Sequence, residues 1–298
     1  MILVVWIIVT ATFFLMHAIP GGPFARDKKL PPEIIKAIEA RYQLDQPLWV
    51  QYVSYLRNLI KWDLGPSYKY TGRSVNEMIN SAFPVSATLG LLAVVCSLGF
   101  GLPAGIISAL KQNKWQDNVF MFLAIIGVSV PSFVIAAILM YVFALKLRWL
   151  PPAMWGSPSQ AVMPVIALST MEMAVFARLM RSSMLEVINQ DYIKVARAKG
   201  LPERLVIWRH AVRNALIPVV TVAGPLVADV LTGSFVIERI FAIPGLGRHF
   251  VTSISNRDYT VTLGVTVFYS IFLVIMMLLV DLAYAWIDPR IKIADERE

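Results

Sequence analysis

Long apolar stretches alternate along the chain with short segments that hold most of its charged residues. The apolar stretches cover residues 2–19, 86–110, 119–147, 161–179, 216–237 and 259–287. A helix crossing the ~30 Å hydrocarbon core of a bilayer needs about 20 mainly apolar residues. The pattern therefore predicts an all-α membrane protein with six transmembrane helices. The third and sixth stretches are longer than required, which predicts tilt or an extension beyond the bilayer. The first, within residues 1–19, is as apolar as a signal sequence. It lacks a basic leading region and a clean small-x-small cleavage site, and further spans follow, so it reads as a retained first span.

Residues 20–85 follow a different pattern. After Pro31-Pro32-Glu33, Ile34, Ile38 and Tyr42 recur at helical spacing. Trp49, Tyr52, Val53, Leu56, Leu59 and Ile60 then form one apolar face, with Asp45 suited to the N-cap, Pro47 to the first turn and Gly65-Pro66 to the stop. Two short amphipathic helices on the outer surface are expected. They either pack onto the spans or dock an external delivery protein. Inside the spans, Gly99, Gly101, Pro103 and Gly105 cluster in the second, Gly127 and Pro131 in the third, and Gly224-Pro225 in the fifth. Small residues let helices approach closely, and proline kinks are tolerated where neighbours satisfy the freed backbone groups. Close packing and a hinge for alternating access are both open readings.

Orientation follows from Lys and Arg in the short loops. Arg181, Lys194, Arg197, Lys199, Arg204, Arg209 and Arg213 fall between spans four and five, against Arg148 before span four and Arg239, Arg248 and Arg257 before span six. The loop between spans four and five is therefore cytoplasmic. Counting outward from it places both termini inside and residues 20–85 outside. That outer segment is also basic, but loops longer than about 60 residues largely escape the rule. The expected organisation is a first helix (1–19), an extracytoplasmic helical segment (20–85), a five-helix core (86–287) containing a cytoplasmic loop at 189–213, and a cytoplasmic tail (288–298).

Composition supports the membrane reading. Only 15% of residues are charged, 57% are hydrophobic, and mean hydropathy is +0.65. A soluble domain carries about 25% charged residues. The net charge of +8 is concentrated between spans, without the zinc-finger spacing, RNP-type motif or basic arm that nucleic-acid binding would call for. The single cysteine, Cys96, lies in an apolar run and reads as a buried structural thiol.

The segment 189–218, NQDYIKVARAKGLPERLVIWRHAVRNALIP, carries the candidate chemistry of contact. Asp191, Lys194, Val195, Ala196, Arg197, Ala198 and Lys199 belong to a short helix with small side chains near its middle. Gly200, Leu201 and Pro202 force a turn, because Gly accepts positive φ and Pro suits the start of the next helix. Residues 203–213 form a basic amphipathic helix leading into span five. Such a helix–turn–helix can plug into a groove on a partner protein, with arginines giving orientation. The alternative is a solvated loop that only sets topology.

This segment resembles the cytoplasmic "EAA" loop of ABC-importer permeases, Glu-Ala-Ala-x3-Gly followed by Ile-x-Leu-Pro. Lys194-Val195-Ala196 occupies the Glu-Ala-Ala slot and Gly200 the glycine, with lysine in place of glutamate. The late Ala-Leu-Ile-Pro ending at Pro218, and Ala-Arg-Ala-Lys-Gly-Leu-Pro at 196–202, resemble the oligopeptide, dipeptide and nickel branch. Gly233 to Glu238, Ile243-Pro244-Gly245-Leu246-Gly247, Asn256-Arg257-Asp258-Tyr259 and Ile287-Asp288-Pro289 agree. Leu30-Pro31-Pro32-Glu33 and Gly65 to Tyr70 are most similar to the oligopeptide-permease B subunit. The resemblance implies a type I importer architecture. It also implies a second homologous permease, two ATPase subunits that bind ATP and Mg, an extracytoplasmic peptide-binding protein, and a bacterial cytoplasmic membrane. Dipeptides, glutathione or nickel are the alternative cargoes within the branch.

No chemistry is expected of this chain. It has neither a G-x-x-x-x-G-K-[ST] phosphate loop nor H-E-x-x-H, and His17, His210 and His249 are scattered. Acids inside spans cost about 2.5–3.5 kcal/mol or more at the centre. Glu172 near the middle of span four and Asp229 in span five are expected to face the subunit interior. They either line the translocation pathway, favouring a peptide's amino terminus or basic side chains, or form an interspan hydrogen bond. Asp281 lies nearer the inner end of span six. An ion-coupled secondary transporter would use the same two acids, but would have no role for a cytoplasmic docking loop.

Overall fold

A computed structural model describes residues 2–18, 40, 43–70, 72–232 and 234–287. These residues form helices, with one isolated bridge between Pro66 and Ser74. The chain divides into two compact units. One comprises Met1–Val85 with Pro244–Val274, the other Ser86–Ile243 with Ile275–Glu298.

In the first unit, α1 (Ile2–Ala18) packs on α2 (Leu48–Ile60) through Phe13, Tyr52 and Leu263. The start of α3 (Val75–Leu110) contributes Val75, Met78, Ile79 and Ala82 to a second core with Leu64, Leu246, Val261 and Val265. Here α3 begins well before residue 86, the expected start of the second span. The apolar face of α2 is as expected, but its ends are not. Pro47, rather than Asp45, is the N-cap residue, and it makes no side-chain cap. The helix stops at Ile60, ahead of Gly65-Pro66, because Trp62 turns to φ 59°. Asn76 holds that turn, donating from Nδ2 to the Trp62 carbonyl at 2.7 Å and accepting from the Leu64 N–H at 3.0 Å. The helical pattern at Ile34, Ile38 and Tyr42 lies outside the described residues.

Two sequence motifs 190 positions apart converge in this unit. Asp258, almost fully buried at the start of α12 (Tyr259–Ile287), accepts from the Ser67 hydroxyl and from the backbone N–H groups of Tyr68 (3.1 Å) and Lys69 (3.3 Å). It also accepts from the Thr260 hydroxyl at 3.0 Å. An aspartate in the N-cap position satisfies otherwise orphaned donors of the first helical turn. Here it ties down the 67–70 loop as well. The neighbouring α11 (Leu246–Asn256) ends in Arg257, which takes the left-handed conformation.

The second unit is organised around α6 (Pro158–Ile188), which packs against α4 (Trp115–Ser129), α5 (Ser132–Leu139), α9 (Arg213–Thr232) and α10 (Phe235–Ile240). Ser157 and Gln160 form a reciprocal capping box at its start. Gly101, Gly105 and Gly127 behave as close-packing residues, whereas a Cβ at Gly99 would meet nothing within 4 Å. A Cβ at Gly101 would lie 2.7 Å from the Met173 carbonyl, one at Gly105 2.5 Å from the Ala177 carbonyl, and one at Gly127 2.9 Å from the Ala174 Cβ. Glu238 on α10 is fully buried and accepts from the Ser86 hydroxyl at 2.7 Å. Cys96 is only half-buried, and its sulfur accepts from the Ser169 hydroxyl at 3.4 Å.

Among the described residues, four helices are long and apolar enough to cross a membrane: Val75–Leu110, Pro158–Ile188, Glu203–Val227 and Tyr259–Leu279. The third expected span is not one straight or tilted helix. It breaks between α4 and α5, which are bent by 108°, and counts as a fifth span only if the bent pair is taken as one. Pro131 is the cause: it lacks an N–H and pushes the preceding residue out of the helical region, and Val130 is extended at φ −94°, ψ 120°. The apolar helix of the first stretch is shorter than these four. The fifth expected span, 216–237, also divides. Its helix ends at Thr232, and residues 235–237 belong to the separate α10.

Candidate functional site: the helix–turn–helix between α6 and α9

The segment expected to contact a partner folds as α7 (Asp191–Ala198), a turn, and α8 (Glu203–Leu205), followed by π-helical Val206–Val212 that runs into α9. Ile193 and Ala196 face inward, helical geometry placing them on one side with the buried Val206, Ala211 and Val212. That seam joins the α6 residues Phe176, Met180 and Met184 in the core of the second unit. The helix–turn–helix is thus packed onto the ends of α6 and α9 rather than loosely tethered. An isolated eight-residue helix is marginal in water, so the apolar seam is what holds α7 in place.

The turn is built as the glycine requires. Gly200 sits at φ +73°, where an L side chain is strained, and no atom would meet a Cβ within 4 Å. Its N–H donates to the Arg197 carbonyl at 2.9 Å, and the Leu201 N–H to the Ala196 carbonyl at 3.4 Å, closing the end of α7. Pro202 is the N-cap residue of α8. Arg197 clamps Glu203 through two bonds, 2.7 Å and 3.1 Å, across the turn. Lys194 pairs with Asp191 at 2.9 Å on the exposed side.

The outward surface is mixed. Val195 is 52% exposed and Trp208 59% exposed, with Tyr192 and Leu205 also uncovered. Lys194, Arg197, Ala198 and Lys199 are exposed around Val195. Pro202, Arg204, Leu205 and Trp208 line an open cleft. The structure therefore divides the expected set: Ala196 turns inward, Leu201 is half-buried, and the other positions from Asp191 to Pro202 singled out in the sequence present themselves outward.

A part-buried ion pair next to this site has no counterpart among the sequence expectations. Arg181 is not a loop residue: it lies on α6, which continues to Ile188. Its Nε and Nη2 each donate at 2.7 Å to the two oxygens of Asp117 in the first turn of α4. The Ser108 hydroxyl and the Asn113 N–H (3.0 Å) complete the carboxylate's partners. Three helix ends, of α3, α4 and α6, are joined by one carboxylate. The signal present in the sequence was an aspartate just before an apolar stretch, opposite an arginine at the far end of another.

The two intramembrane acids differ. On α6, one carboxylate oxygen of Glu172 is buried without a hydrogen-bond partner. Asp229, on the packed neighbour α9, is within electrostatic reach of Glu172 but is itself exposed on this chain. The side chain of Asp281 lies outside the described residues.

Comparison with known proteins places the chain in a family. Residues 101–293 match the family described as binding-protein-dependent transport system inner membrane component, and residues 1–90 match the N-terminal family of the same transport systems. The chain is 52% identical to the dipeptide transport system permease protein DppB of Bacillus subtilis over 96% of its own length and 93% of the relative's. It is 44% identical to the oligopeptide transport system permease protein OppB of Salmonella typhimurium, covering 96% and 94%. Among solved structures, an amino acid ABC transporter matches with TM-score 0.57 at 16% identity over 71% of this chain and 94% of the other. An inward-facing MetNI methionine ABC transporter matches with TM-score 0.59 at 14% identity over 71% and 96%. These two likenesses establish the shared helical fold, that of type I ABC-importer permeases. By sequence over nearly its whole length, the chain belongs to the family of inner membrane components of binding-protein-dependent transport systems.

Proposed function

We propose that this chain is a channel-forming permease subunit of an ATP-driven peptide importer in a bacterial cytoplasmic membrane, and that the helix–turn–helix at Asp191–Pro202 couples a partner ATPase to alternating access. One observation supports this most directly: α7 is joined by Ile193 and Ala196 to α6 and α9 while Val195 and its basic neighbours face outward. A push on Val195 and Gly200 is delivered to two membrane helices together. The partners implied are a second homologous permease, two ATPase subunits that carry ATP and Mg, and an extracytoplasmic peptide-binding protein. Both termini lie on the cytoplasmic side, and hydrolysis belongs to the partners. Glu172 and Asp229 line the pathway and favour cationic groups of the peptide; the unpartnered oxygen of Glu172 supports that role.

The cargo is oligopeptide on the resemblance of the outer motifs, with dipeptide as the second reading, favoured by the 52% identity to the Bacillus subtilis DppB. Uptake of labelled dipeptides competed by longer peptides separates the two. The assembly is tested by pull-down from mild-detergent membranes, with ATPase activity assayed in the eluate. Recovery of a second permease and two ATPases, lost with Val195→Asp and Gly200→Asp, is the expected result. A chain that purifies alone and moves peptide without ATP overturns the proposal.

A further inference from the structure

The flanks of α2 are chemically unlike one another. Tyr52, Tyr55, Leu56 and Leu59 turn toward the first unit. On one side of that seam, Gln51, Ser54 and Asn58 line a cavity of about 230 Å³. On the other, Trp49, Val53 and Ile60 recur at helical spacing and are exposed, Trp49 by 67% and Ile60 by 87%. Arg57 and Lys61, also exposed, follow on the rim beyond that apolar stripe.

The depth of the stripe is set by α1. The Tyr52 and Thr10 hydroxyls are hydrogen-bonded at 2.7 Å, and the Tyr52 ring lies against Phe13 and Phe14. Thr10 is about 12 Å of helix rise below Ala18, at 1.5 Å per residue. The N-terminal half of α2 is therefore held beside the middle of α1, not above its end. Along α1, Ile7, Phe14 and Leu15 are exposed apolar residues of the same kind, so the apolar surface continues from α1 onto α2.

We propose that α2 is an interfacial helix whose Trp49–Val53–Ile60 flank is embedded in the outer leaflet, with Arg57 and Lys61 on lipid phosphates. An amphipathic helix of this kind buries its apolar side at the headgroup–acyl boundary and keeps basic residues on its polar rim, and tryptophan favours that level. A water-facing helix would have no use for three large apolar side chains beside two cations. A docked protein would not require them to continue the surface of a span. The inference rests on α1 being inserted in the bilayer, as the proposed permease reading has it.

The test uses single nitroxide labels at Trp49, Val53, Ile60 and Asn58 on α2 and at Phe14 and Leu15 on α1. The full chain carries Cys96→Ser and is reconstituted with its partner subunits in phosphatidylethanolamine–phosphatidylglycerol vesicles. Collision with oxygen is compared with collision with a water-soluble nickel chelate. Labels at 49, 53 and 60 are expected to favour oxygen several-fold more than the label at 58, and to match those at 14 and 15. If the labels at 49, 53 and 60 meet nickel as readily as 58 while 14 and 15 remain in lipid, the flank faces water and the proposal fails. Shielding of 49, 53 and 60 from both reagents assigns the flank to a protein partner and overturns the proposal as well. Nickel access at 14 and 15 removes the insertion of α1, and the permease reading of that helix falls with it.

Discussion

Helix α6 carries a contrast between two buried carboxylate environments. At its end, Arg181 meets Asp117, which also accepts from Ser108 and Asn113, so every part of that carboxylate has a donor. Nearer its middle, Glu172 keeps an oxygen buried without one. Burying a charge is costly unless it is paired and hydrogen-bonded. The first acid is committed to joining three helix ends, and the second has been left available. Between them, Gly101 and Gly105 let α3 press directly against the backbone of α6 at Met173 and Ala177.

The sharpest way to test this contrast is to break the satisfied pair. Asp117→Ala removes the partner of Arg181, whose side chain stays 25% exposed, so the loss is about 3 kcal/mol, the lower end for buried pairs. Thermal unfolding in detergent should show a large drop, and a change under about 1 kcal/mol would mean that the pair is not structural. Next in size is Gly105→Leu, which forces α3 away from the Ala177 carbonyl, where overpacking costs about 1–3 kcal/mol. Wild-type melting for this variant would show that α3 and α6 separate freely. The smallest effect on stability is expected of Glu172→Gln, less than about 1 kcal/mol, because the buried oxygen has no hydrogen bond to lose. Its consequence should appear in transport, as weaker preference for basic peptides. Unchanged rates and unchanged preference, in this variant and in Asp229→Asn, would remove both acids from the pathway.

Much of the first-order architecture was legible. Runs of apolar residues announced helices, and Gly200-Leu201-Pro202 announced a turn, because those signals act through neighbouring residues. The break at Pro131 was present in the sequence as a proline, yet span length suggested tilt. Only the geometry distinguishes a tilted helix from two bent by 108°. The second helix of the outer segment failed at its ends for a similar reason. Asp45 and Gly65 had the right chemistry for a cap and a stop, but Asn76 terminates the helix from across the chain.

Local order and family membership were properties of the sequence alone. Hydropathy and helix punctuation act over one or a few turns, and the motifs from Lys194 to Pro218 keep their order whatever the packing. Partnerships between distant residues were decided by the tertiary structure. Asp258 is joined to Ser67, Asp117 to Arg181 and Glu238 to Ser86, each between segments that sequence position does not relate. A single sequence names which polar groups must be satisfied when buried, since an unpaired one is expensive in a low-dielectric interior. Which of them find partners, and that Glu172 keeps an oxygen without one, depends on how the helices approach in space.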